Sequence, residues 1–94
     1  MSTVWRVETI EVEALTEQHN YAVIRLPERR FPGVVVQGDS LSILVADLRR
    51  ALDHLRTGNI DDGVGEVASA LASLEDVQQS YEDALAAHSI RLAY

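Results

Sequence analysis

The sequence predicts an α+β domain: an antiparallel sheet of three or four strands, in the chain order β-β-β-α-α-β, covered on one face by an antiparallel helix hairpin. Three observations carry this. Before residue 38 the apolar residues come in short β-branched runs, punctuated by Pro27, Pro32, Gly33 and Gly38. From Ser40 onward the apolar period lengthens from two to about 3.6. Thr57-Gly58-Asn59 then splits the remaining chain into two helical stretches.

Val4 to Glu13 is expected as the first strand. Trp5 and Val7 share one face and Ile10 and Val12 the other, so the phase switches near Glu8 and Thr9 and calls for a bulge or twist. Thr16 to Asn20 is polar and reads as a turn. Tyr21 to Leu26 is the second strand, stopped by Pro27, which has no N–H to give to a ladder. Glu28-Arg29-Arg30 forms a loop tip. Val34 to Gln37 is the third strand, and its unbroken valines suggest burial on both faces and a central place in the sheet.

Leu41, Leu44, Val45, Leu48, Leu52 and Leu55 make the stripe of the first helix, whose start offers Asp39 or Ser40 as a cap. Gly58 suits a left-handed cap at its end. Asn59, Asp61 and Asp62 supply capping oxygens and favourable charge for a second helix. There Ile60, Val64, Val67, Leu71, Leu74, Gln78, Tyr81, Leu85 and His88 recur at spacings of four and three, a heptad stripe with a polar break at Gln78. Gly63 and Gly65 weaken its first turn, so regular helix is expected from about Glu66. Ser89 to Tyr94 alternates like a final strand.

At 94 residues, 47% hydrophobic, the chain is a single ordered domain over 1–94 with a mainly aliphatic core. It has no cysteine, so disulfide and thiol chemistry are excluded. No apolar run is long enough to span a bilayer, and Trp5, Arg6 and Glu8 stand where a signal peptide needs its apolar region. A cytoplasmic protein is expected. The net charge of −7 argues against a nucleic-acid partner. Residues 1–58 hold eight acids and seven arginines; residues 59–94 hold seven acids and one arginine, so −6 of the charge lies in the C-terminal part. Its bland reading is a solvated helix face; its sharper reading is a docking surface for a basic protein, with Asp76, Glu82 and Asp83 at its centre.

Catalytic chemistry finds little support. Gly38-Asp39-Ser40-Leu41 spells the nucleophile block of GDSL esterases, but a serine nucleophile needs a positioned histidine and acid. His19, His54 and His88 are widely separated, and Asp83 is the acid nearest the C-terminus. None of the histidines forms a His-x-x-x-His or Glu-x-x-His pair, so no metal site is expected. Nor is a cofactor: Gly63-Val64-Gly65 lacks the preceding strand and following lysine of a phosphate loop. Arg29 and Arg30 could grip a phosphate or carboxylate, although a solvated turn is the commoner role of such residues.

Tyr21 through Leu55 resembles the HicB-type antitoxin fold, with Phe31-Pro32-Gly33 in place of that family's Leu-Pro-Gly-like turn and Gln37-Gly38-Asp39-Ser40-Leu41 opening the helix. The whole chain is also similar to a family of small bacterial proteins of unassigned function that carry the run Arg29-Arg30-Phe31-Pro32-Gly33-Val34-Val35-Val36-Gln37-Gly38-Asp39-Ser40-Leu41. The HicB resemblance implies toxin neutralisation or protein binding. It does not imply action on DNA, since a long acidic helix stands where those antitoxins append a DNA-binding segment.

The function expected is therefore a non-enzymatic protein-binding module of antitoxin or immunity-like type, Arg29, Arg30, Asp76, Glu82 and Asp83 being candidate partner contacts. The alternatives are a small hydrolase or nucleotide-binding protein built on the Gly-Asp-Ser-Leu turn, and a self-assembling structural subunit. A homodimer is expected as well. Residues 40–56 make a helix of about 25 Å and residues 61–88 one of about 42 Å, so the first covers only the first half or so of the second. Val77, Gln78, Tyr81 and Leu85 are then the candidate dimer interface.

Overall fold

Among the described residues five elements follow one another: β1 (Glu13–Ala14), β2 (Tyr21–Arg25), β3 (Gly33–Val36), α1 (Gly38–Arg56) and α2 (Ile60–Ala87). The structure is a computed structural model and describes residues 6–17 and 21–94. It is an α+β arrangement of a three-stranded antiparallel sheet, ordered β1-β2-β3, and a helix hairpin packed against it through α2.

The sheet is shorter at its start than expected. Of the predicted first strand only Glu13 pairs, with Arg25, and Ala14 just beyond it pairs with Ile24. Residues 6–12 run unpaired, with Val7 99% exposed and Ile10 and Val12 exposed too. The reason lies in β2: it ends at Arg25, and Pro27 with a left-handed Glu28 (φ 63°) turns the chain away, leaving no ladder opposite those residues. Val4 and Trp5 lie outside the described residues, as do His19 and Asn20 of the predicted turn.

The third strand is not central. β2 lies between its neighbours, and β3 pairs with it on one side only, from Tyr21↔Val36 to Ile24↔Gly33. Val34 and Val36 share the face of Val23, while Val35 points the other way and stays 46% exposed. A run of valines therefore signals two-face burial only where both faces are covered. The predicted fourth strand is absent: residues 89–94 are irregular, although Ile90 and Leu92 still pack on the core.

That core joins Val23 of the sheet to Tyr81, Ala84 and Leu85 of α2, with Leu15, Val34, Ile90 and Leu92 around it. The Tyr81 hydroxyl donates to the Pro32 carbonyl at 3.0 Å, which fixes the Phe31-Pro32-Gly33 turn to the helix. Nε2 of His88 lies 3.0 Å from the Leu15 carbonyl and links the helix end to the residue after β1. The radius of gyration is 17.1 Å, against about 12 Å for a compact domain of this length. The hairpin accounts for much of the difference: the sheet occupies the second half of α2, and α1 lies along its first half.

The helix ends are built by backbone geometry. Gly58 is left-handed (φ 84°); its N–H reaches the Leu55 carbonyl and that of Asn59 reaches His54 at 2.8 Å, a Schellman motif as expected from the glycine. α2 ends in the same way with a serine: Ser89 (φ 55°) donates to Ala86, and Ile90 donates to Leu85 at 2.8 Å. A serine pays the left-handed penalty that glycine escapes. Ser89→Gly should therefore raise stability by about 0.5–1 kcal/mol, read as a shift in the urea midpoint at constant slope.

The helix starts differ from expectation. Gln37 is the N-cap of α1 and makes no side-chain cap bond; Asp39 and Ser40 lie inside the first turn. The Asp39 carboxylate still accepts the Ser40 N–H at 2.8 Å, so Asp39 serves one free amide of that turn and the Ser40 hydroxyl does not cap. α2 begins at Ile60, six residues before Glu66. Its glycines do not delay it, because Gly63 is a packing residue.

Candidate functional site: an open apolar face on the helix hairpin

α1 and α2 meet along a seam of mostly small residues. The buried residues are Leu44 and Ala51 on α1, and Gly63 and Ala70 on the first part of α2. At Gly63 the approach is close. A Cβ there would stand 2.8 Å from Cγ and Cδ2 of Leu55 and 3.3 Å from the Ala51 carbonyl oxygen. Arg50 bonds Glu66 across the hairpin at 3.4 Å and also pairs with Asp47.

This seam leaves the two leucine-rich stripes outside. On each helix the stripe lies about 20–100° ahead of the seam, at 100° per residue. The helices run antiparallel, so equal offsets in the same sense bring both stripes to one side of the hairpin. With Arg50 opposite Glu66, Leu41 is level with Leu74, Val45 with Leu71, Leu48 with Val67, Leu52 with Val64, and Leu55 with Ile60. All ten side chains are between 41% and 58% exposed. None is charged, and the face offers no hydrogen-bonding side chain. What it can do is bury apolar area. An open groove of about 580 Å³, lined by Phe31, Leu74, Gln78 and Tyr94 among others, prolongs it toward the sheet.

The expected dimer interface is not available as such. Leu85 is 0% exposed and Tyr81 is buried, both inside one chain. The sheet supplies the cover that the length of α2 seemed to demand from a second molecule. Val77 is half-buried beside them, and Gln78 remains exposed. The expectation placed the open part of the stripe at its C-terminal end; the open part is the N-terminal one.

The other candidates do not converge. Arg29 and Arg30 are exposed in the loop after β2, and the Arg30 guanidinium lies over the Phe31 ring at 5.2 Å. Asp76 and Asp83 are exposed on α2; Asp83 accepts from Gln79 at 2.9 Å, and Glu82 accepts from the Tyr94 hydroxyl at 3.3 Å. No hydrogen bond or ion pair joins the arginines to these acids among the described residues. Ser40 and His54 are fourteen positions apart on one helix, about 21 Å at 1.5 Å per residue, so His54 cannot serve as its base.

One ion pair shifts titration. Glu13 and Arg25 are directly opposed across β1 and β2 and bond twice, at 3.0 and 2.8 Å. The hydrogen bonds from Arg25, and then its charge, hold the Glu13 carboxyl below the usual glutamate range. A carboxyl with a depressed folded-state pKa contributes stability above its unfolded pKa, and that contribution is lost as pH falls through the folded value. Followed by NMR, Glu13 should titrate below the usual glutamate range, and Arg25→Gln should raise it.

The family model that matches this chain describes a family of unknown function, DUF6959, and it aligns with residues 7–94. The chain belongs to DUF6959. No curated protein and no solved structure matches it. The DUF6959 match spans all five elements, the hairpin face included. Sequence reasoning found both stripes but took α1 to cover the first half or so of α2, and it counted Leu44, a seam residue, in the α1 stripe. The signal that could have corrected it is the seven-residue spacing of Leu44 and Ala51, and of Gly63 and Ala70, which marks the true seam one position away.

Proposed function

We propose that this DUF6959 protein is a non-enzymatic protein-binding module and that the apolar face of its hairpin is the docking surface. The observation that carries the reading is the exposure of ten uncharged, large side chains in level pairs on one side of two helices. Surfaces of that kind mark interaction sites. The reading sets the protein in the cytoplasm; no helix among the described residues is long and apolar enough to cross a membrane.

A second surface supports the antitoxin-like form of the reading. Asp76 and Asp83 are exposed and have no arginine partner among the described residues, which suits a basic protein. The HicB-like turn and helix start add to that by resemblance.

The test uses the isolated protein at low micromolar concentration. Its hairpin face should either be covered, giving a mass above one chain, or be open, giving fluorescence with the apolar-surface dye ANS. The double variant Leu48→Glu/Leu71→Glu should abolish whichever signal appears while keeping the helical circular dichroism. A one-chain wild type that leaves the dye dark would overturn the proposal.

A further inference from the structure

We infer that the occupant of the hairpin face is a second copy of this chain, packed as a two-fold four-helix bundle in which α1 of each copy lies against α2 of the other. The inference rests on the docking role proposed above and names its partner.

Area supports self-association. The chain exposes 7615 Å², whereas a compact monomer of 10.4 kDa exposes about 5,400 Å². That total covers all 94 residues, so only a part of the excess of roughly 2,200 Å² belongs to the hairpin; ten half-exposed large side chains lie there, and a standard stable interface buries ~800 Å² per partner.

Pattern supports it as well. Stripes spaced four and three are the signature of helices that pack in bundles through large side chains at successive levels. Here the buried seam is small residues apart from Leu44, and the ten larger residues of the stripes stay half-exposed. A two-fold axis parallel to the helices keeps levels matched, so Leu48 meets the level of Val67 on the second copy, and each layer gains four apolar side chains. The net charge of −7 opposes self-association at low salt, but no stripe position is charged, so the contact itself buries no unpaired charge.

Charge at the borders selects the orientation. By helical rotation Arg49 and Arg56 fall on the outer border of the α1 stripe, and Asp61 and Glu75 on that of α2. With α1 against the second copy's α2, Arg56 stands level with Asp61 of that copy, while Arg49 and Glu75 lie about 12 Å apart along the axis and do not pair. Such rim charges add little affinity but discriminate between arrangements.

Multi-angle light scattering should give the mass of two chains at tens of micromolar, and Leu48→Glu should give one chain with its circular dichroism kept. A one-chain wild type at 100 µM would overturn the dimer; if that monomer binds ANS, the docking role stands and only self-association fails. Leu48→Glu retaining the two-chain mass would remove this face from the interface. Because the chain has no cysteine, orientation can be read by mixing Leu48→Cys and Val67→Cys proteins under mild oxidation. The crossed disulfide should exceed both self-linked products, and an excess of either self-linked product would overturn the α1-on-α2 arrangement.

Discussion

Leu85→Ala is expected to lower stability by about 2–5 kcal/mol. Leu85 is fully buried where α2 meets Val23 and the segment after the helix, and its carbonyl also accepts the Ile90 N–H of the closing motif. The backbone bond survives the substitution; the loss is that of the apolar side chain and of the contacts around the space it leaves. The core holds few other large residues: Val23, Tyr81 and the half-buried Leu15, Val34, Ile90 and Leu92 surround it. A shared core this small cannot redistribute the lost volume. Urea unfolding at fixed protein concentration measures the effect, and a loss under 1 kcal/mol would mean that the sheet is not anchored at this point.

Gly63→Val is expected to destabilise by about 1–3 kcal/mol through overpacking, while Gly65→Ala is expected to stabilise by about 0.5–1 kcal/mol. Both glycines lie in the first turns of α2. A Cβ on Gly63 enters the volume of Leu55 and presses on the Ala51 carbonyl, whereas one on Gly65 meets nothing within 4 Å. Leu55 is partly exposed and its side chain can shift, whereas the Ala51 carbonyl is backbone and yields only if the helices part. Helix propensity alone treats the two glycines alike, so opposite signs in thermal melts would isolate the packing contribution. Equal gains from Gly63→Ala and Gly65→Ala would show that the helices do not approach closely at Gly63.

Much of the fold is legible in the residues. Pro27 and the Phe31-Pro32-Gly33 turn place the ends of β2 and β3, and Gly58 divides the helices, because prolines and left-handed glycines constrain the backbone locally. Residues 6–12 were misread because β-branched composition describes a strand's fitness and not the presence of a neighbour to pair with. The fourth strand failed likewise: Ile90 and Leu92 are apolar for the core that they enter as irregular chain. The site was half legible. Both stripes stood out in the sequence, yet a heptad stripe says that one face is apolar without saying what covers it.

The sequence by itself determined the α+β class, the two helices and their apolar stripes, since each follows from local backbone constraint and from periodicity along a single element. Only the tertiary structure decided which part of each stripe is covered. Gly63, Ala51 and Ala70 let the helices approach along a seam beside the stripes, and the sheet takes Tyr81 and Leu85 at the far end of α2. Side-chain size at the contact and the rotation of one helix against another set that division, and neither is a property of one segment read alone.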